Sequence, residues 1–161
     1  MFIYDDNVLT ENDFIELHKK IKKLKFSFIS QAVEPGDKGY HFINDILDRK
    51  GNKSKDYSYF KSVLVSILKK HNIKLSKVHR IAINYTFNNG YVKEVPLHLD
   101  HDFPHKQIIF YLKTSTGNTE VPFYNKTITP KENTAILFDN KDHKHYFPEY
   151  GVRVVCVFTF S

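Results

Sequence analysis

The sequence predicts a single, mainly β domain of the α+β class, with N-terminal helices packed on one face of an antiparallel sandwich or jelly roll. With 161 residues, 41% hydrophobic and 26% charged, the chain has the length and composition of an ordinary globular domain. Its 14 Phe and 10 Tyr favour strands. The hydrophobic period changes from 3.6 to 2 residues near Val78. We therefore predict one domain over 1–161, with a mostly helical support region at 1–76 and a β core at 77–161.

Two amphipathic helices are predicted in the support region. The first begins after Thr10, which forms a capping box with Asp13. The second runs from about Asp56 to Lys70. Each has an apolar stripe at helical spacing, which predicts that both helices pack on the core. The first stripe comprises Phe14, Leu17, Ile21 and Leu24, and the second comprises Phe60, Val63, Leu64, Ile67 and Leu68.

The segment 30–56 between the helices carries several glycines and isolated charges. This composition predicts irregular chain, with a short helix from Phe42 to Leu47. Because an irregular stretch of this length is uncommon in a compact domain, it is a candidate cover for a functional site.

Seven short strands are predicted after Val78. Alternating apolar residues and turn residues such as Asn, Gly and Pro delimit them. The predicted strands span 79–87, 95–100, 106–113, 119–124, 133–138, 143–147 and 152–160.

The net charge and the cysteine content limit the binding partners and the cellular compartment that the sequence predicts. The net charge of +6 and a pI of about 9.2 permit weak attraction to nucleic acid, but the basic residues are spread evenly along the chain. The single Cys156 lies in an apolar run, which predicts a buried thiol and a reducing, cytoplasmic setting. No apolar stretch reaches the length of about 18 residues typical of a membrane span, and the first residues do not resemble a secretory leader.

Histidines concentrate in the β half, and the sharpest local pattern there is His98-Leu99-Asp100. On a strand, positions i and i+2 project from the same face, so an imidazole and a carboxylate can converge. A third ligand from a distant strand would complete the two-His-one-carboxylate arrangement of non-haem Fe(II) oxygenases. A structural His–Asp hydrogen bond would produce the same pattern. Five histidines fall within this half: His98, His101, His105, His143 and His145.

Arg153 is the single cation in the last apolar strand. If it points inward, it requires a buried carboxylate, and no Asp or Glu of the neighbouring strands is an obvious partner. A ligand carboxylate bound through two parallel hydrogen bonds would suit it. The alternative is an arginine on an exposed strand face with its stem along the surface.

In the order of these motifs, the segment from about Arg80 to Phe160 resembles the 2-oxoglutarate and Fe(II)-dependent dioxygenases, particularly compact prolyl-4-hydroxylase-like members. The resemblance implies a double-stranded β-helix (jelly roll) behind N-terminal helices. It implies that His98, Asp100 and a distal histidine hold iron and that Arg153 and Tyr111 bind the 2-oxoglutarate carboxylate. The resembling pieces are His98-Leu99-Asp100, Ile108–Leu112, Gly117-Asn118-Thr119, Thr129-Pro130-Lys131, Ala135–Phe138, His143 or His145, and Arg153.

The distal ligand has two candidates of the same strand parity. His143 lies ten residues before Arg153 and His145 lies eight before it, and the separation usual in the family favours His143. The other histidine is expected to line the pocket. His101, Asp102 and His105 are expected at the rim, at the substrate or simply in a loop.

The resemblance implies the cofactor Fe(II), the cosubstrates 2-oxoglutarate and O2, and ascorbate as a supporting reductant. The expected reaction is hydroxylation of a C–H bond, with a peptide or protein side chain such as proline, or a small molecule, as substrate. Two other classes compete: a nucleic-acid-binding β domain, and a metal-binding β domain that is not an oxygenase, such as a cupin or a zinc site. The cupin interpretation uses His143, His145 and Glu149 as ligands. Only 12 residues follow Glu149, which is too few for the second half of a cupin with its own histidine.

Overall fold

The computed structural model describes all residues, 1–161, and contains two α-helices and ten strands. The helices are α1 (Glu11–Ile21) and α2 (Tyr57–Lys70), and a 3₁₀ turn spans Pro122–Tyr124. Neither helix is long and apolar enough to cross a membrane. The strands are β1 (Phe2–Asp5), β2 (Ser27–Ile29), β3 (His41–Leu47), β4 (Val78–Phe87), β5 (Lys106–Tyr111), β6 (Thr119–Val121), β7 (Lys126–Ile128), β8 (Thr134–Asp139), β9 (Lys144–His145) and β10 (Val152–Phe160).

The strands form two antiparallel sheets. The large sheet has the order β1-β8-β5-β10-β4-β3-β2, and the small sheet has the order β7-β6-β9. The expected mainly β architecture with two helices is therefore confirmed. Residues 1–76 contain both helices, and they also supply β1, β2 and β3 to the large sheet.

Both helices cover one face of the large sheet, and the main core lies between the helices and this face. The stripes predicted from the sequence supply its helical side, including Leu17, Ile21 and Phe60. Alternate residues of β10, such as Cys156 and Phe158, supply its sheet side. Cys156 is buried as expected, and burial raises the pKa of its thiol.

The N-terminus of α1 is capped as the sequence predicts. The hydroxyl of Thr10 accepts a hydrogen bond from the backbone N–H of Asp13 at 3.2 Å. We expect Thr10→Ala to lower the free energy of unfolding by about 1 kcal/mol, because this helix donor loses its partner. Urea unfolding would measure the loss, and Thr10→Ser, which retains the oxygen, should stay close to the wild type.

The opposite face of the large sheet meets the small sheet. Because side chains alternate along a strand, the neighbours of the core residues in β10 point to this second face. They include Arg153, Val155 and Val157. A smaller apolar cluster joins the two sheets there and leaves a cavity beside it.

The expected irregular chain is found at 30–40 and 48–56, but the expected short helix from Phe42 to Leu47 is wrong, because these residues belong to strand β3. The pairing of β3 with β4 shifts register between Asp45 and Leu47, so Ile46 and Leu47 are both buried. This β-bulge interrupts the two-residue alternation that identifies a strand in a sequence.

Other strand predictions need smaller corrections. The expected strand 95–100 contains only an isolated bridge, between His98 and His143, and Pro96 has no N–H to extend the pairing. The expected strand 119–124 stops at Val121, because Pro122 begins a 3₁₀ turn. Strand β9 is limited to two residues. The short strands β1, β2 and β7 were not predicted.

Candidate active site

A cavity of about 380 Å³ lies between the two sheets, and it collects most of the predicted site residues. Its volume is in the range of small-ligand sites. Tyr111 is buried beside it, packed against one of its lining residues. The predicted residues that line the cavity are His98, Asp100, His143, His145 and Arg153.

His98, Asp100 and His143 form one group of potential metal ligands. The backbones of His98 and His143 exchange two hydrogen bonds of 3.0 Å, which place the imidazole centroids 4.5 Å apart. Nε2 of His143 lies 3.8 Å from Oδ2 of Asp100. Two nitrogen donors and one carboxylate oxygen are thus adjacent although 45 residues separate His98 from His143 in the sequence.

Backbone carbonyls set the tautomers of both imidazoles. Nδ1 of His98 donates to the carbonyl of Pro96 at 2.9 Å, and Nδ1 of His143 faces the carbonyl of Lys141 at 3.4 Å. Nε2 of each ring therefore carries the lone pair that a metal ion needs. The Gln107 side-chain amide donates to Nε2 of His143 at 3.1 Å, which is consistent with that tautomer.

Two arginines hold the carboxylate of Asp100. Its Oδ1 accepts hydrogen bonds from Arg49 at 3.1 Å and from Arg80 at 3.3 Å. Burial alone would raise the pKa of Asp100, but the surrounding imidazoles and guanidinium groups outweigh it and lower the pKa to about 2. With Asp100 turned towards the arginines, no three His, Cys, Asp or Glu side chains converge on one point in the geometry of a bound metal.

Arg153 is a buried cation without a carboxylate partner. It is 2% exposed, donates from Nε to the carbonyl of Gly117 at 3.0 Å, and donates from Nη2 to the hydroxyl of Thr119 at 2.8 Å. Burial lowers its pKa to about 10, so it stays charged at neutral pH. The inward orientation is therefore correct, and the exposed alternative is wrong.

Tyr111 adds an unpaired polar atom next to Arg153. Cζ of Arg153 lies 5.8 Å from the centre of the Tyr111 ring, and the buried hydroxyl of Tyr111 has no hydrogen-bond partner. Burial raises the pKa of Tyr111 to about 12, so the hydroxyl remains a donor. A buried cation and an unpaired donor together fit an anionic ligand.

The absence of a side chain at Gly117 leaves space for the side chain of Arg153. A Cβ at position 117 would lie 2.6 Å from the Tyr146 carbonyl oxygen and 3.0 Å from Cδ of Arg153. The close approach of the Gly117 backbone to the guanidinium therefore requires the absence of a side chain.

His145 lines the cavity, as expected for the less favoured distal histidine. Its Nε2 is buried without a partner. Burial, followed by the charge of Arg153, holds its pKa well below the usual value. His101 and His105 do not line the cavity: His101 contacts the Thr159 hydroxyl at 2.8 Å, and His105 contacts the Phe103 carbonyl at 2.9 Å.

The sequence did not identify several residues that complete the site. Arg80 and Gln107 are polar residues in apolar strands, which was an available signal. Thr119 belongs to one of the segments that resemble the family, but no role was predicted for it. The sequence around Arg49 contains no pattern that marks it as a site residue. Their contacts with Asp100, His143 and Arg153 all join segments distant in sequence.

The buried imidazoles predict loss of stability in acid. Burial lowers the pKa of His143 from 6.5 to about 4, so between these pH values the unfolded chain binds a proton that the native protein does not. The free energy of unfolding of the metal-free protein should fall as the pH drops from about 6.5 to 4, with His143 alone contributing on the order of 2 to 3 kcal/mol. Urea unfolding across this range would measure the slope, and His143→Gln should flatten it.

Known protein structures share this fold. No protein-family model and no curated protein sequence matches the chain. A 2OG-Fe(II) oxygenase family oxidoreductase from Burkholderia pseudomallei is 12% identical with a TM-score of 0.80, covering 99% of this chain and 84% of that chain. The 2OG complex of the collagen prolyl hydroxylase of Paramecium bursaria Chlorella virus-1 is 16% identical with a TM-score of 0.66, covering 98% and 94%.

A third similar structure is that of a carbocyclase. The non-haem α-ketoglutarate-dependent carbocyclase of nogalamycin biosynthesis is 10% identical with a TM-score of 0.66, covering 99% of this chain and 78% of that chain. The resemblance inferred from the sequence is thus confirmed at the level of the fold: the chain shares the architecture of 2OG-Fe(II) oxygenase family structures, including a prolyl hydroxylase.

Proposed function

We propose that this protein is an Fe(II)- and 2-oxoglutarate-dependent oxygenase that hydroxylates a C–H bond, and that its two sheets form a double-stranded β-helix. One observation carries the proposal. In a fold shared with such oxygenases, a single cavity holds two imidazoles and a carboxylate together with a buried arginine that has no acidic partner.

Fe(II) would be held by His98, Asp100 and His143. The fit rests on the donor set, since both Nε2 atoms have the required tautomer and Asp100 is ionised. Because Oδ1 of Asp100 is bound by arginines, Oδ2 is its available oxygen. His145 is the alternative distal ligand, but its backbone pairs with Thr119 of β6, whereas the backbone of His143 pairs with that of His98.

The distal carboxylate of 2-oxoglutarate would bind Arg153, with Tyr111 as a second donor. Gly117 and Thr119 fix two of the guanidinium nitrogens, which orients the remaining N–H groups. When bound, iron and 2-oxoglutarate supply the oxidation of the C–H bond with O2, leaving succinate and CO2.

The contribution of the chain is to bind, orient and exclude water. The apolar side chains of Ile109, Val155 and Val157 line the cavity between the two polar clusters. This apolar lining limits the water next to the reacting groups. Arg80 and Arg49 keep Asp100 ionised, and Gln107 orients His143.

For the substrate we propose a peptide or protein side chain, such as proline, with a small molecule as the other candidate. Similarity to a collagen prolyl hydroxylase supports the first, and similarity to a carbocyclase keeps the second open. The reducing setting expected for the buried Cys156 supports a cytoplasmic location, where ascorbate or another reductant would maintain Fe(II).

Formation of succinate from 2-oxoglutarate tests the proposal. Purified protein with Fe(II), ascorbate and O2 should form succinate, and a pool of peptides, free amino acids and nucleotides should reveal the substrate by accelerating it. Absence of Fe(II)-dependent succinate under all these conditions, combined with no binding of Mn(II) or 2-oxoglutarate by calorimetry, would contradict the proposal.

A further inference from the structure

One wall of the cavity carries more hydrogen-bond donors than the proposed function uses. This wall is formed by β3, β4 and the turn after β3, and its polar residues include Arg49, Arg80 and Asn84. None of the three belongs to the proposed metal-ligand set or to the proposed 2-oxoglutarate site.

The two arginines share one carboxylate oxygen. Arg49 and Arg80 both donate to Oδ1 of Asp100, and Arg49 also donates to the Asp100 backbone carbonyl. Each guanidinium offers five N–H donors. Arg49 uses up to three of them, on Asp100 and on Nδ1 of His101 at 3.5 Å. Arg80 uses one, so donors remain on both arginines. Nε of Arg80 is buried without a hydrogen bond, and the nearest carboxylate oxygen of Asp45 lies 3.6 Å away. The side chain of Arg49 is 50% exposed.

The cavity retains positive charge when the proposed cofactors are included. Its lining contains three arginines, Arg49, Arg80 and Arg153, and one acid, Asp100. Fe(II) and the 2-oxoglutarate dianion would cancel each other. Asp45 offsets part of the charge of Arg80 from a position that is 40% exposed. The remaining charge favours an anionic partner.

An unpaired acceptor lies further along the same wall. Oδ1 of Asn84 is buried and has no hydrogen-bond partner. Asn84 and Arg80 are on the same face of β4, four residues apart, which corresponds to about 13 Å along a strand. An extended peptide has the same rise per residue, so a backbone N–H three or four residues from an acidic side chain would reach Asn84.

Resting on the proposed function, we propose that Arg49, Arg80 and Asn84 bind the substrate and select a peptide that carries an acidic side chain near the hydroxylated residue. The arginines bind the carboxylate of that side chain, and Asn84 accepts a backbone N–H. The apolar residues Val33 and Leu99, which also line the cavity, contact the neighbouring part of the peptide.

The turn that presents Arg49 supplies a matched control. Asp48 accepts hydrogen bonds from the backbone N–H groups of Lys50 at 2.9 Å and Asn52 at 2.8 Å, which fix the turn. Lys50 is an exposed cation next to Arg49 that does not line the cavity. Lys50→Gln therefore removes the same charge from the same turn.

Peptide binding tests the inference without turnover. Two fluorescent pools of acetylated, amidated nonapeptides have uncharged residues randomised around one fixed position, which is Glu in one pool and Gln in the other. Anisotropy is measured with protein containing Mn(II) and 2-oxoglutarate. The Glu pool should bind at least about tenfold more tightly than the Gln pool. Arg49→Gln should remove most of this preference, Arg49→Lys should retain part, and Lys50→Gln should retain all of it.

Three results would overturn the inference: equal affinity for the two wild-type pools, a preference that survives Arg49→Gln, or equal losses in Arg49→Gln and Lys50→Gln. An unlabelled Glu peptide is compared with glutarate and AMP as competitors of the Glu pool. If glutarate or AMP displaces the pool at the same concentration as the peptide does, the site binds a small anion and not a peptide. Succinate formation with Fe(II), measured on the same preparations, separates the two proposals. Succinate without a Glu preference contradicts only this inference, and a Glu preference without succinate contradicts only the oxygenase activity.

Discussion

Replacing Asp100 with alanine should lower the affinity for Mn(II), used as a surrogate for Fe(II), by at least about 100-fold. Asp100 is the only carboxylate lining the cavity, and it is held ionised by its neighbours. Loss of groups that merely orient a metal ligand typically costs 10- to 100-fold, so loss of the ligand itself should cost more. Calorimetry with the purified protein measures the effect, together with its loss of Fe(II)-dependent succinate formation.

Asp102→Ala is the matched control, because Asp102 is exposed two residues away. It should bind Mn(II) as the wild type does. In the same series, His98→Ala and His143→Ala should abolish iron-dependent turnover, and His145→Ala should be milder. Unchanged Mn(II) affinity in folded His98→Ala and Asp100→Ala proteins would remove this metal site, and a reversed order of His143 and His145 would exchange the distal ligand.

Arg153→Lys should weaken 2-oxoglutarate binding by about tenfold or more. The substitution keeps the positive charge but loses the planar pair of donors, and a lost charge-assisted contact costs about 1.4 kcal/mol or above. It also loses one of the contacts with Gly117 and Thr119 that orient the cation. The measurement is calorimetric titration of Mn(II)-loaded protein with 2-oxoglutarate.

The affinity for Mn(II) should be little changed in Arg153→Lys, because Arg153 is not a proposed metal ligand. Lys113→Gln, at an exposed cation outside the cavity, serves as the charge control and should bind 2-oxoglutarate normally. If Arg153→Lys saturates with 2-oxoglutarate at wild-type concentrations, Arg153 does not bind the cosubstrate.

Regular periodicity explains which parts of the molecule could be predicted from the sequence. The stripes of α1 and α2 are uninterrupted, so they also predict the buried side of each helix. The apolar run of β10 predicts a strand that is buried on both faces. Strand β3 was missed because its bulge buries Ile46 and Leu47 in succession. The strands β1, β2 and β7 have three or four residues each, which is too short for a periodic signal.

The candidate site was predictable where its residues are close in sequence or carry an unusual charge. His98 and Asp100 are two positions apart, and Arg153 is the lone cation of an apolar strand. Arg49 could not be found in this way, because its interaction with Asp100 spans 51 residues and depends on how the turn after β3 meets the segment that carries Asp100. Such contacts follow from strand register, which local patterns do not encode.

The tight packing around Gly117 restricts how the proposed cosubstrate preference can evolve. Any side chain at position 117 would collide with the backbone of Tyr146 as well as with Arg153, so shortening Arg153 would not make room for one. Substitutions that change the shape of this end of the cavity are therefore expected at Thr119 and His145, whose side chains also line it. Laboratory selection for a shorter or longer 2-oxo acid should accumulate changes at these two positions and leave Gly117 untouched.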